Sequence, residues 1–305
     1  MLGHQLMGLT FLPICLISIA CNGIVFFATC RVRSLSPSFA FLTGALALAD
    51  LVFSIAFLTY NGPMIILDSK FLKINSGECG YVLMICYDAA INIHLIISLN
   101  RFFAVFTPLL YQGCFDFSMT KAYVIVCYSL SFVLLTIYKI LGCETYYSDE
   151  TWMYFLRVDD EFCISYSWIT DYAKDLVVAY FNAFIDLVTI LRVHALKRKF
   201  RKTSQTSQTK SATVRKKEMD FLKQTCVQGF VSLFTLTLYN FVPEFITNIY
   251  LSFLMTTFLW PNLSMIDGVV VLIYNTELRS SVLPRKISTS VISVSSERRK
   301  STIII

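Results

Sequence analysis

Ionisable residues standing inside apolar runs are where this chain has chemistry to offer. Asp50 closes the run Leu46-Ala47-Leu48-Ala49, and Asp267 follows Met265-Ile266. A carboxylate at the centre of a membrane costs several kcal/mol unless it is partnered, so it faces a helix bundle's interior. Asn22 and Asp267 are the expected partners of Asp50, or else a cation held between the two acids. Arg101 ends another apolar run, flanked by Asn100 and Phe102. Such an arginine either snorkels to the headgroups or serves as a switch. Leu83, Tyr87, Ala90, His94, Ile97 and Arg101 recur at three- and four-residue steps and share one helix face. Tyr87 and Asp88 become pocket candidates, with interhelical hydrogen bonding as the plainer role. His94 reads as a core hydrogen-bonder. Pro243 can kink its helix. Phe241 and Glu244 beside it are the remaining pocket candidates, and Glu244 could equally pair with a loop cation.

Other chemistries find no residues. His4, His94 and His194 lie far apart, and no nucleophile–base arrangement, phosphate loop or zinc spacing stands out. Asp50 and Asp267 could be taken for the paired acids of an intramembrane protease, but no protease motif accompanies them. The expectation is a binding protein with no metal, no cofactor and no enzymatic activity.

The elements that must position these residues are apolar helices. Hydrophobic residues make up 56% of the chain and charged ones 15%, against about 25% in an ordinary soluble domain. A membrane span needs about 20 mostly apolar residues. Seven stretches qualify: Leu6–Cys30, Phe39–Tyr60, Gly80–Thr107, Ala122–Leu141, Lys174–Leu191, Phe221–Phe245 and Ile249–Ile273. They are too long and too evenly apolar for the strands of an outer-membrane barrel. The fold expected is an all-α, seven-helix membrane bundle over residues 1–278, followed by a disordered, basic, Ser/Thr-rich tail over 279–305.

Charge sets the orientation. The first, third and fifth connections and the tail carry 20 of the 26 Lys and Arg. Positive loops stay in the cytoplasm, so the N-terminus is expected outside and the C-terminus inside. Only five residues precede Leu6, so the first span is expected to act as its own insertion signal. The net charge of +6 then belongs to a cytoplasmic membrane face and not to nucleic-acid binding. The fourth connection is acidic, with Glu144, Asp149, Glu150, Asp159, Asp160 and Glu161. The polar stretch Lys197–Lys217 should be largely disordered or a frayed extension of span 5.

Cys79, Cys143 and Cys163 fall on the outer side, where disulfides persist. Three cysteines can form one bond and leave one free, the plainer alternative being that all three are free. Cys79–Cys163 is the favoured pair, because Cys163 sits mid-loop and would drape the fourth connection over the bundle. Cys143, at the end of span 4, is the other candidate partner for Cys79.

Several motifs together resemble the rhodopsin-like G-protein-coupled receptors. Asn100-Arg101-Phe102, with Pro108-Leu109 after it, is similar to the Asp/Glu-Arg-Tyr signature. Leu46-Ala47-Leu48-Ala49-Asp50 resembles Leu-Ala-x-x-Asp, Asn22-Gly23 is a reversed Gly-Asn, and Phe241-Val242-Pro243 resembles the aromatic-x-Pro kink. The closer resemblance is to nematode serpentine receptors of class X, carried by Asn-Arg-Phe, by Cys143-Glu144-Thr145-Tyr146-Tyr147 with Trp152, and by Asp267-Gly268 with Asn275-Thr276-Glu277-Leu278-Arg279. That resemblance implies a plasma-membrane chemoreceptor, including the ciliary membrane of sensory neurons. It also implies an extracellular small-molecule ligand, a heterotrimeric G protein as partner, and Asn100, Arg101, Phe102 and Pro243 as the coupling switch. Two departures stand out. Asn100 cannot form an acid's ion pair with Arg101, and Asp267-Gly268 replaces the usual Asn-Pro of span 7. A multi-span transporter or channel is the alternative, disfavoured because no second-half repeat of broken apolar segments is present.

Overall fold

The computed structural model describes residues 3–31, 36–150, 152–156, 160–203, 209–241 and 245–282. Seven long helices form one bundle: α1 Gly3–Arg31, α2 Pro37–Ala56, α3 Ser76–Phe106, α4 Phe117–Ile140, α5 Lys174–Thr203, α6 Thr209–Phe241 and α7 Leu259–Tyr274. A short helix, α8 (Thr276–Val282), follows and crosses the boundary expected at 278. Residues 283–305, most of the expected tail, lie outside the described residues.

Among the described residues, six helical stretches are long and apolar enough to cross a bilayer: Gln5–Arg31, Pro37–Ile66, Ser76–Phe106, Phe117–Ile140, Glu161–Leu196 and Ile249–Tyr274. The seventh long helix is α6, whose first half is basic in sequence and whose second half is apolar. Its start at Thr209, rather than near Phe221, continues the helix into the polar stretch, as does the extension of α5 to Thr203. The fifth span also begins earlier than Lys174. Glu161–Ser167 and a π-helical segment, Trp168–Ala173, lead into α5 without a break. Asp160, Glu161 and Asp171 make this stretch look polar in sequence, and Asp175, just after it, is buried within the bundle.

Local sequence explains the irregular ends. Pro63 has no N–H to donate four residues back, and the preceding turn, Phe57–Asn61, widens to a π-helix before Gly62–Ile66 resumes. Asn248 caps Ile249–Met255 by accepting from the Tyr250 and Leu251 amides. Asn275 accepts from the Leu278 amide at 3.1 Å, and Leu278 is fully buried. The Asn-x-Glu-Leu-Arg motif is thus a helix cap followed by an apolar anchor.

The central helix is α3. Two-thirds (67%) of its most apolar stretch is buried, against 22% for α4. Two apolar clusters stack along it. One holds Phe39, Leu42, Ile93, Ile97 and Val271, and lies toward the end where Arg101 sits, called here the basic end. The other holds Phe11, Phe53, Phe57, Leu83 and Trp260, and lies toward the opposite end. Large apolar side chains such as Phe27, Ile125, Phe184 and Phe230 point outward, as a lipid-facing surface requires.

A β-hairpin closes that opposite end. β1 (Thr145–Ser148) pairs antiparallel with β2 (Met153–Leu156), Thr145 facing Leu156. The hairpin sits on the first turn of α3, where Gly77 and Gly80 offer no side chains. A Cβ on Gly77 would come 2.7 Å from the Thr145 carbonyl oxygen. Ser76 Oγ accepts from the Tyr147 amide at 3.0 Å. Lys73 pairs with both Asp68 and Asp149, tying the hairpin turn to the second connection. Burial lowers the pKa of its ammonium, but the two carboxylates outweigh burial and hold it above the usual lysine value. Burial likewise pushes the Tyr147 and Tyr154 phenols up.

The disulfide joins Cys143 to Cys163, not Cys79 to Cys163. Gly142, at φ +79°, ends α4 in the left-handed region. Its amide bonds the Lys139 carbonyl and that of Cys143 the Tyr138 carbonyl, which folds Cys143 back against the helix end. There Cys143 and Cys163 are packed with Tyr138 and Tyr166. Cys79 instead stays a thiol under the hairpin, 3.7 Å from Asn61 Oδ1.

Candidate functional site

A small cavity lies among α2, α3, α6 and α7. Asp50, Tyr87, His94, Ser232, Trp260 and Asp267 are among the residues lining it. Its free volume is about 10 Å³, room for about one water. Above it Trp260 stacks between Tyr87 (centroids 5.8 Å) and Tyr239 (5.4 Å). The hairpin covers this aromatic layer. Tyr154 donates to Asn61, Tyr239 to the Tyr154 carbonyl and Thr257 to the Trp152 carbonyl. From the hairpin end, the way to this cavity runs past the hairpin and the aromatic layer.

The polar core forms, with partners other than those expected. Asp50 and Asp267 line the same cavity. Asn22, however, donates to the Ser264 carbonyl (2.8 Å) and to Ser18 (3.1 Å) rather than to Asp50. This close approach of α1 to α7 needs Gly268, where a Cβ would stand 2.8 Å from Asn22 Oδ1. The Asp-Gly that replaces Asn-Pro thus has a packing reason. Asp267 is held by His94 Nε2 (3.1 Å) and Gln228 Nε2 (3.0 Å). His94 is the core hydrogen-bonder expected of it. One oxygen of the buried Asp50 carboxylate has no hydrogen-bond partner, which fits a cation or water bound in the cavity beside it.

The pocket candidates divide. Tyr87 lines the cavity. Asp88 does not: it pairs with Lys174 of α5, and Asn92 donates to it at 3.3 Å. Lys174 also lies 3.3 Å from Asp175. Phe241 is exposed at the end of α6, with its ring 6.4 Å from Tyr172. Pro243 and Glu244 lie outside the described residues.

At the basic end Arg101 meets two aromatic rings. Its guanidinium carbon sits 3.8 Å from the Phe39 centroid and 4.7 Å from that of Phe221. The two rings are 4.8 Å apart. Arg101 thereby links α3 to α2 and to α6. Asn100 is fully buried and its amide reaches Tyr111 Oη at 3.5 Å. Phe102 stacks on Phe106 (4.5 Å), and Arg192 of α5 lies 5.7 Å over Phe106. Cation–π contacts thus connect α3 to both α5 and α6 at this end.

Several of these partners escaped the sequence reading. Phe39 and Phe221 read there only as span starts, and Trp260 only as an apolar residue. Gln224 and Gln228, four residues apart in an apolar helix, were a usable signal for a polar face on α6.

The bundle, its hairpin-capped end and its arginine at the basic end define the class. The fold matches squid rhodopsin with a TM-score of 0.74 over 92% of this chain and 84% of that one, at 16% identity. This is a seven-transmembrane G-protein-coupled receptor, not an enzyme. The family model described as "Serpentine type 7TM GPCR chemoreceptor Srx" matches residues 12–275, and the chain belongs to that family. Serpentine receptor class X 45 of Caenorhabditis elegans is 28% identical over 280 residues, covering 87% of this chain and 77% of its own. The transporter or channel alternative falls with that membership.

Proposed function

We propose that this receptor detects a small, partly apolar molecule at the hairpin end and passes the signal to a heterotrimeric G protein at the basic end. The hairpin end faces outside, with the N-terminus, and the membrane is the plasma membrane, including that of sensory cilia. The charge asymmetry of the loops supports this orientation. The observation that carries the reading is the placement of Arg101 between rings of α2 and α6. Outward movement of α6 would part Phe221 from Arg101 and open a cleft with basic walls. Such a cleft suits the C-terminal end of a partner helix, with its carboxylate and its negative dipole end. Asn100, Phe102 and Pro243 belong to the same switch, Pro243 as the hinge. Tyr87 and the aromatic layer are the ligand's first contacts.

The test is expression with terminal tags and a G-protein dissociation readout against a panel of small odorants. The N-terminal tag should stain on intact cells. Arg101→Ala should abolish signalling while surface level and ligand binding stay near wild type. Normal signalling by Arg101→Ala at matched surface expression would reduce the residue to a membrane anchor and remove the mechanism.

A further inference from the structure

The connection between α2 and α3 turns its largest apolar side chains away from the protein. Leu67 is 72% exposed, Phe71 73% and Ile74 83%. Phe71 and Ile74 lie about one turn apart on one face of the short helix Lys70–Ile74. That face cannot roll inward, because the rest of the helix is fastened. Leu72 packs into the apolar cluster at the hairpin end. The Tyr60 hydroxyl donates to the Leu72 carbonyl at 2.9 Å. Lys73 pairs with Asp68 and with Asp149 of the hairpin turn. Asp68, at φ +53°, ends span 2 in the left-handed region, and the chain turns out of the span's axis there.

Height along the bundle decides what meets this face. A Cβ on Gly8 of α1 would stand 2.9 Å from Ile66 and 3.0 Å from Ile65, so the two helices touch just before the turn. Gly8 lies about 35 Å along α1 from Arg31, at a helical rise of about 1.5 Å per residue. The stretch Pro37–Ile66 runs about 43 Å by the same measure. Both lengths pass the hydrocarbon core of about 30 Å and end in the headgroup layers, which bring the total to about 40–45 Å. Leu48, Val52 and Ile55 form the outward, lipid-facing stripe of α2 that leads toward this turn. We propose that Lys70–Ile74 is an interfacial anchor, with Leu67, Phe71 and Ile74 inserted between the headgroups and the upper acyl chains of the leaflet at the hairpin end. A helix with one apolar face lies in that boundary, its apolar side chains reaching the acyl chains. A second copy of the chain is the competing cover, but these few side chains fall far short of the roughly 800 Å² per partner that a stable interface buries. Because Lys73 of the same helix holds Asp149, the anchor also fixes the height of the hairpin over the bundle.

The experiment reads membrane depth, so its outcome is independent of the ligand and the G protein proposed above. Purified full-length receptor carrying Phe71→Trp is placed in phosphatidylcholine nanodiscs, and its emission is read after subtraction of the wild-type signal. The added emission should be mostly lost in discs whose lipid is brominated high on the acyl chains, beside the glycerol. It should be largely kept when the bromines sit at the chain ends, and iodide in the buffer should not reduce it. Glu150→Trp, at an exposed position of the hairpin turn, is the control. Its emission should be quenched by iodide and by neither lipid. Quenching of the Phe71→Trp signal by iodide alone puts the face in water and overturns the proposal. Shielding from every quencher also overturns it, because protein then covers the face. Loss mainly to chain-end bromines overturns the interfacial depth. If Phe71→Trp does not fold, Ile74→Trp is read against the same outcomes.

Discussion

Replacing Phe221 with leucine should raise signalling without ligand. The substitution keeps an apolar side chain of similar reach but removes the π face that Arg101 meets at 4.7 Å. A cation–π contact contributes about 0.5–1 kcal/mol when exposed and about 2 kcal/mol when shielded from water. Phe221 is half-buried and packs against the basic-end core, so a value of about 1–2 kcal/mol is reasonable. Phe39, at 3.8 Å, retains its hold on Arg101, but it ties α3 to α2 and leaves α6 untethered there. Removing about 1–2 kcal/mol from the closed arrangement alone shifts its balance with the open one by roughly 5–30-fold. Basal G-protein dissociation, measured in cells at matched surface expression, should rise accordingly until it approaches the ligand-stimulated level. Phe221→Tyr keeps the π face and should stay near wild type. Equal basal signals from Phe221→Leu, Phe221→Tyr and wild type would show that the ring serves only as packing, and the aromatic hold on Arg101 would have no part in gating.

Three further outcomes follow from the same geometry. Peptide mapping should find Cys143 joined to Cys163, and either Cys→Ser change should lower surface expression by a similar amount. A 20-residue separation is worth roughly 3 kcal/mol in the chain-entropy model, and Cys79→Ser should be milder. Gly77→Ala should reduce thermal stability despite alanine's helix preference of about 1 kcal/mol, because its methyl would meet the Thr145 carbonyl at 2.7 Å, where main chain must move. Gly268→Ala should displace Asn22 and break its hydrogen bond to Ser264, at a cost of about 1–3 kcal/mol for the orphaned buried groups. A melting temperature equal to wild type would refute either glycine argument.

Composition and spacing alone determined the helical membrane architecture, the approximate spans and the burial of Asp50, Asp267 and His94. These are local properties: an apolar run in lipid must satisfy its backbone internally, and a charge in that run must turn inward. Where the local signal was mixed, the reading stopped short. Asp171 hid the start of span 5, because the nearby Lys174 finds its partner in Asp88 on another helix, which no local reading shows. Partner choice was decided only by the tertiary structure. Arg101 finds Phe221 and His94 finds Asp267 across long separations in sequence, through helix rotations that no single helix encodes. Three candidate cysteines left the disulfide open. The left-handed turn at Gly142 and the packing of Tyr138 against Tyr166 brought Cys143 to Cys163, while the hairpin sealed Cys79 beneath it.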